Sequence, residues 1–120
     1  MLFRSRWNRL HPVEPARASF LQKTLDGTTA PIIAVSDYMK VVSDQLAPWL
    51  PGRLVSLGCD GFGRSDNRQH LRRHFEVDAE SIAIAALSRL ARDGRLDPAR
   101  AQSAIAELGI NADKKDPAKA

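Results

Sequence analysis

Two short apolar runs rich in β-branched residues, Ile32-Ile33-Ala34-Val35 and Arg53-Leu54-Val55-Ser56-Leu57, set the tightest limit on the fold. Each is too short for a helix and is bounded by turn residues, so each reads as a buried strand. Between them Tyr38, Val42, Leu46 and Trp49 recur at i, i+4, i+8 and i+11, a single helical stripe. Ser36 or Asp37 can cap that helix, and Pro48 with Pro51-Gly52 closes it. Two strands joined by a helix make a β-α-β unit, with parallel strands and a right-handed crossover. The fold class expected is therefore α/β, a short, mostly parallel sheet flanked by helices.

Downstream the pattern turns helical. Ser65 or Asp66 can cap a short helix with Leu71 and Phe75 inward and Arg68 and Arg72 outward. Asp78 opens the next helix, whose buried face is Ala79, Ile82, Ala83, Ala86, Leu87 and Leu90; Arg89 and Arg92 suit its negative C-terminal end, and Gly94 stops it. Asp97-Pro98 is a cap followed by proline at the first helical position. The stripe Ala101, Ile105, Leu108 follows, and Gly109 with Ile110 forms the terminator. Upstream, His11-Pro12 and Glu14-Pro15 push the residues before proline out of the helical region. Residues 1–30 thus read as an extended connecting segment, 31–110 as the α/β domain and 111–120 as a C-terminal tail.

One hundred and twenty residues suffice for one modest core, and 43% hydrophobic with 27% charged residues is ordinary for a globular chain. No apolar stretch approaches the ~20 residues that span a bilayer, so no membrane partner is expected and the cytoplasm is the default location. The net charge is +4, but residues 1–17 hold four arginines against Glu14, leaving 14 basic and 13 acidic residues beyond them. That near-neutral remainder does not suit a dedicated nucleic-acid binder.

The richest segment is Gly58-Cys59-Asp60-Gly61-Phe62-Gly63-Arg64-Ser65-Asp66, which leaves a strand and enters a helix. Ligands of open α/β sheets bind at such places, and backbone N–H groups with Arg64 would favour an anion. The third glycine of a dinucleotide fingerprint and the Lys-Ser/Thr pair of a P-loop are both missing. A tight structural turn, or one that shapes an interface, is the favoured reading. The cluster Arg64, Arg68, Arg72, Arg73, His74 has Asp60, Asp66, Glu76 and Asp78 beside it, and reads as a solvated or subunit-facing surface; its alternative is a non-catalytic binding module using the basic helix at 64–74 for nucleic acid or an acidic partner. His70 and His74 lie one helical turn apart, which can bind metal, but no third ligand is evident. Cys59 reads as a small buried or loop residue rather than a nucleophile, and no catalytic triad can be assembled.

Leu57 to Arg68, continuing Leu71-Arg72-Arg73-His74-Phe75-Glu76-Val77-Asp78, closely resembles the C-terminal region of homodimeric-type pyruvate dehydrogenases of the transketolase superfamily. Trp7-Asn8-Arg9-Leu10-His11-Pro12, Ser36-Asp37-Tyr38-Met39-Lys40, Trp49-Leu50-Pro51-Gly52-Arg53 and Gly109-Ile110-Asn111-Ala112-Asp113-Lys114 carry the same likeness. The family usually has Thr where Cys59 stands, a small-for-small change; Glu14 to Phe20 match loosely, and Met1 to Ser5 match nothing in the family. The resemblance implies a partial transketolase C-terminal-like domain, truncated at its N-terminus, within a homodimer. It also implies a parent enzyme that decarboxylates pyruvate and acetylates the lipoyl group of dihydrolipoyl acetyltransferase, in pyruvate metabolism. Thiamine diphosphate, Mg²⁺ and the catalytic groups belong to preceding domains, so no catalytic, cofactor or metal residue is carried onto this chain. The motif loop Gly58, Asp60, Gly61, Phe62, Gly63, Arg64, Ser65, Asp66 is then structural or interfacial. A sheet cut partway would leave an open edge, so the isolated chain is expected to be marginally stable, prone to association and inactive.

Overall fold

The computed structural model describes residues 2–120, with side chains from Arg6 onward; Met1, one of the five residues expected to lie outside the resemblance, is not among them. The expected β-α-β pairing is present. Strands β1 (Ile32–Val35) and β2 (Leu54–Leu57) run parallel in register, Ile32 against Leu54 and Val35 against Leu57. Among the described residues these two strands are the whole sheet. Each therefore has one unpaired edge, and neither is buried on both faces as the apolar runs suggested: all eight residues are half-buried or exposed.

The connection between the strands differs from the single long helix expected. Helix α3 spans only Lys40–Asp44, followed by a 3₁₀ turn at Ala47–Trp49. Ser36 does not cap it: its hydroxyl accepts from the Tyr38 amide in a local turn, and the cap position falls to Met39, which has no polar side chain to offer. Pro48 also blocks continuation of the α-helix. Tyr38 and Val42 therefore point to solvent, 73% and 53% exposed, while Leu50 is buried at the foot of the crossover.

The second half follows its local signals. Helix α4 is Arg68–Phe75, α5 is Ala79–Arg92 and α6 is Pro98–Glu107. Asp78 caps α5 through the Ser81 amide at 3.0 Å, and Asp97 caps α6 through the Ala99 amide at 3.0 Å. Both helices end in the glycine terminator expected. Gly94 and Gly109 have φ of +72° and +64°, and the next residues, Arg95 and Ile110, donate to Leu90 and Ile105 carbonyls at 2.9 and 3.0 Å. α5 contacts both strands and carries α6 on it, with Ala101 buried between the two helices.

Residues 1–30 do not form a plain extended segment. Helix α1 spans Leu2–Leu10, and α2, Phe20–Thr24, is opened by a capping box in which Ser19 and Gln22 exchange bonds. The prolines between them break the chain as expected, but side chains fold the break back on α1. His11 stacks on Trp7 at 4.4 Å, the Arg17 guanidinium lies 3.6 Å from the Trp7 ring centroid, and Asn8 bonds the Arg17 backbone in both directions. Arg53 and Arg95 tie the end of this lead, at Ala30 and Thr29, to the foot of the domain.

Among the described residues, Leu50, Val77 and Ala101 are the only buried hydrophobic ones. The accessible surface is 8749 Å², where a compact monomer of this size has about 6,400 Å². The radius of gyration is 17.5 Å, against about 13.6 Å for a compact chain of equal length. Large apolar surface is left uncovered. With so small a core, local interactions weigh heavily in stability. Asp78 both caps α5 and receives the Arg73 guanidinium at 2.9 Å. Asp78→Ala is expected to lower the unfolding free energy by about 1–2 kcal/mol, read from the urea midpoint; an unchanged midpoint would contradict that role.

Candidate functional site

The loop from Gly58 to Asp66 begins where the two strand ends meet. Gly58 is buried against the turn that follows β1: a side chain there would lie 2.5 Å from the Tyr38 carbonyl oxygen and 2.9 Å from the Lys40 nitrogen. The Cys59 amide donates to the Tyr38 carbonyl at 2.9 Å. Asp60 accepts from the Lys40 amide at 3.0 Å and pairs with its ammonium at 3.9 Å. Asp60 thus supplies the cap that Met39 cannot give to α3.

Beyond this anchor the chain emerges into solvent. Gly61 has φ +94° and packs so closely on the Pro117 carbonyl that a Cβ would collide with it. Phe62 is 83% exposed, and Gly63, Arg64 and Ser65 are exposed as well. Neither Ser65 nor Asp66 caps α4. The Asp66 carboxylate accepts from the adjacent Asn67 amide at 2.7 Å and faces His70 Nδ1 at 3.1 Å, so the cap passes to Asn67, which accepts from the His70 amide at 2.9 Å. The Asn67 amide bond, then His70, holds the Asp66 carboxyl below its ordinary range. Leu71 and Phe75 are half-buried and Arg68 and Arg72 exposed, but the four stand at i, i+3, i+4 and i+7 on one helical face rather than on opposite ones as expected.

The far end of α4 shows a contact that sequence spacing does not reveal. Lys114 from the tail donates to the Arg73 and His74 carbonyls at 3.2 and 2.5 Å and reaches Glu76 at 3.4 Å. This ammonium satisfies the free carbonyls of the last turn. Glu76 holds the left-handed backbone, φ 60°, that ends the helix. A lysine 40 residues away leaves no periodic signal, whereas the Ser19–Gln22 box could have been found from its S-x-x-Q spacing.

The remaining candidates separate. Cys59 is free, and burial, then the charges of Asp37 and Asp60, push its thiol pKa up, away from the thiolate a nucleophile needs. His70 is turned to Asp66, and His74 packs edge-on against Phe75 at 4.8 Å. Among the described residues no three His, Cys, Asp or Glu side chains are grouped to hold a metal. No helix among them is long and apolar enough to cross a membrane.

A parallel β-α-β core with helices packed on it and a glycine loop at the strand ends defines a mixed α/β domain. More specifically, the chain belongs to the family described as the transketolase-like TK C-terminal domain, which matches residues 3–78. It is 44% identical over 113 residues, 93% of its length, to the pyruvate dehydrogenase E1 component of Pseudomonas aeruginosa, covering 13% of that protein. Identity to the Escherichia coli pyruvate dehydrogenase E1 component is also 44%, covering 93% of this chain and 12% of that one. For the Mycobacterium tuberculosis pyruvate dehydrogenase E1 component it is 44%, covering 84% and 11%. The resemblance read from the motif residues is borne out, and the chain spans about an eighth of the length of these curated relatives.

Two outcomes test the loop. Gly58→Ala forces its methyl into the Tyr38–Lys40 backbone and should destabilise the chain by about 1–3 kcal/mol. Gly63→Ala, with nothing within 4 Å of the added carbon, should leave the urea midpoint unchanged; equal effects would contradict the anchoring described. Burial, followed by the Arg64 and Lys114 cations, lowers the His74 pKa from 6.5. The unfolded chain therefore takes up the proton first, and His74's contribution to stability, complete above 6.5, is lost as pH falls toward its folded value. An NMR titration should place the His74 midpoint below the ordinary histidine value of 6.5, and a midpoint at or above it would contradict this.

Proposed function

We propose that this chain serves as the C-terminal scaffold and subunit-contact portion of a thiamine-diphosphate-dependent pyruvate dehydrogenase. The parent enzyme would decarboxylate pyruvate and reductively acetylate the lipoyl group of dihydrolipoyl acetyltransferase, as a homodimer in the cytoplasm, at the step that follows glycolysis. Residues 31–110 form its transketolase C-terminal-like domain, preceded by a connecting lead and followed by the 111–120 tail. Thiamine diphosphate and Mg²⁺ are held by other parts of the parent, and their chemistry, carbanion stabilisation at the carbonyl carbon of pyruvate, takes place there.

The observation that carries this reading is the mismatch between surface and chemistry. The chain exposes Tyr38, Met39, Val41, Val42 and Phe62 near the strand ends, an apolar display that calls for cover. Among the described residues no nucleophile, base and acid stand together, and the chain's one thiol has a raised pKa. The motif loop supports the same role: fixed ends and an exposed middle suit a contact surface, and its acidic residues are engaged with backbone amides and neighbouring side chains.

The chain supplied with pyruvate, thiamine diphosphate, Mg²⁺ and a lipoyl domain is expected to release no CO₂ above the uncatalysed rate and to leave the lipoyl group unacetylated. Catalysis by these 120 residues would overturn the assignment. The reading frame upstream should encode the family's thiamine-diphosphate motif, and an unrelated frame there would overturn it equally.

A further inference from the structure

One face of α4 borders an open cleft of about 680 Å³ between the helix and the motif loop. Arg68, Leu71, Arg72 and Phe75 line one wall, spaced as one helical face, and Cys59 and Arg64 line the other. The arginines here differ from their neighbours. Arg73 is paired with Asp78 and Glu80, Arg89 with Asp93, and Arg53 and Arg95 bond carbonyl oxygens. Arg64, Arg68 and Arg72 have no ion pair with any described residue, yet all three line this cleft, Arg68 and Arg72 also bordering the adjoining hollow beside Asp37 and Asp78. Arg92 and Arg100, also without such pairs, line no part of it. Apolar side chains at the floor and free guanidinium groups at the rim make the composition that interface centres favour.

We infer that this cleft receives an extended protein segment in which acidic and apolar residues alternate. Arg68 and Arg72 stand one helical turn apart, about 6 Å between Cβ atoms. Alternate side chains of an extended chain are about 7 Å apart, so carboxylates at positions i and i+2 meet both arginines and Arg64 is left for a third. The intervening apolar side chains then face Leu71 and Phe75. Two carboxylates, Asp37 and Asp66, also line the cleft. They reduce its charge to a net +1, which favours discretely placed carboxylates over a continuous phosphate backbone and opposes a shifted register. The rim is open, with residues 61–70 all exposed. That geometry admits a chain segment rather than enclosing a small ligand. The inference stands on the cleft and does not depend on the proposed parent enzyme, so either can fail alone.

The test uses the 120-residue chain and a fluorescent ten-residue peptide alternating Glu or Asp with Leu or Val, followed by anisotropy. Binding should weaken about tenfold in Arg68→Gln/Arg72→Gln and be unchanged in Arg92→Gln/Arg100→Gln, which removes equal charge elsewhere. Absence of binding, or equal loss in the two double variants, overturns the proposal. So does tighter binding of a single-stranded oligonucleotide or of inorganic phosphate, or self-association that the cleft variant abolishes. A photoreactive phenylalanine analogue in the same peptide reads the contact even in an associated sample. Cross-links confined to residues 59–75 support the cleft; cross-links elsewhere or spread along the chain sink it.

Discussion

The closest backbone approach at the strand ends, Gly58 against the Tyr38–Lys40 turn, is the constraint on which the site depends. Parallel strands end side by side, so their outgoing loops compete for the same space. Here the competition is resolved by a residue without a side chain, by the Cys59–Tyr38 bond and by Asp60 reaching across to the start of α3. A short helix with no cap of its own is thereby fixed to the neighbouring strand's loop. The price is paid in sequence freedom: position 58 accepts no Cβ without displacing main chain.

From that anchor the motif loop is gripped at both ends and free in the middle. Pro117 lies on Gly61, Asn67 opens α4, and Lys114 closes it. The tail therefore acts on both flanks of the loop, although it carries no regular element longer than one 3₁₀ turn. Between these holds, Phe62 to Ser65 project into solvent. Charge divides along α4 in the same manner. Arg73 is neutralised by Asp78 and Glu80, while Arg64, Arg68 and Arg72 turn unpaired toward the open cleft. Rigid supports with an exposed, chemically distinct centre are what a contact surface requires.

The sequence made α5 and α6 legible nearly to the residue, because caps, stripes and glycine terminators are local signals that need no partner. The two strands were equally plain from their apolar runs. The crossover was not: a periodic stripe from Tyr38 to Trp49 predicts a helix, but Pro48 and the lack of a side-chain cap at Met39 reduce it to little more than one turn. The lead departs from its expected extended form for a related reason. Two X-Pro steps look extended in isolation, yet Trp7, His11, Arg17 and Asn8 gather around them through side-chain contacts that no period encodes. In the loop, the residue types were evident and their partners were not. Asp60 meets Lys40 twenty positions away and Lys114 meets His74 forty positions away, distances at which pattern carries no information.

Amide hydrogen exchange at Lys40 and Cys59 tests the central account most directly. Both amides are bonded across the junction of the strand ends, to Asp60 and to the Tyr38 carbonyl. They should exchange as slowly as the amides paired between β1 and β2, and far more slowly than those of Phe62 to Ser65. Exchange at Lys40 and Cys59 as fast as in the loop centre would contradict the claim that this junction holds the site.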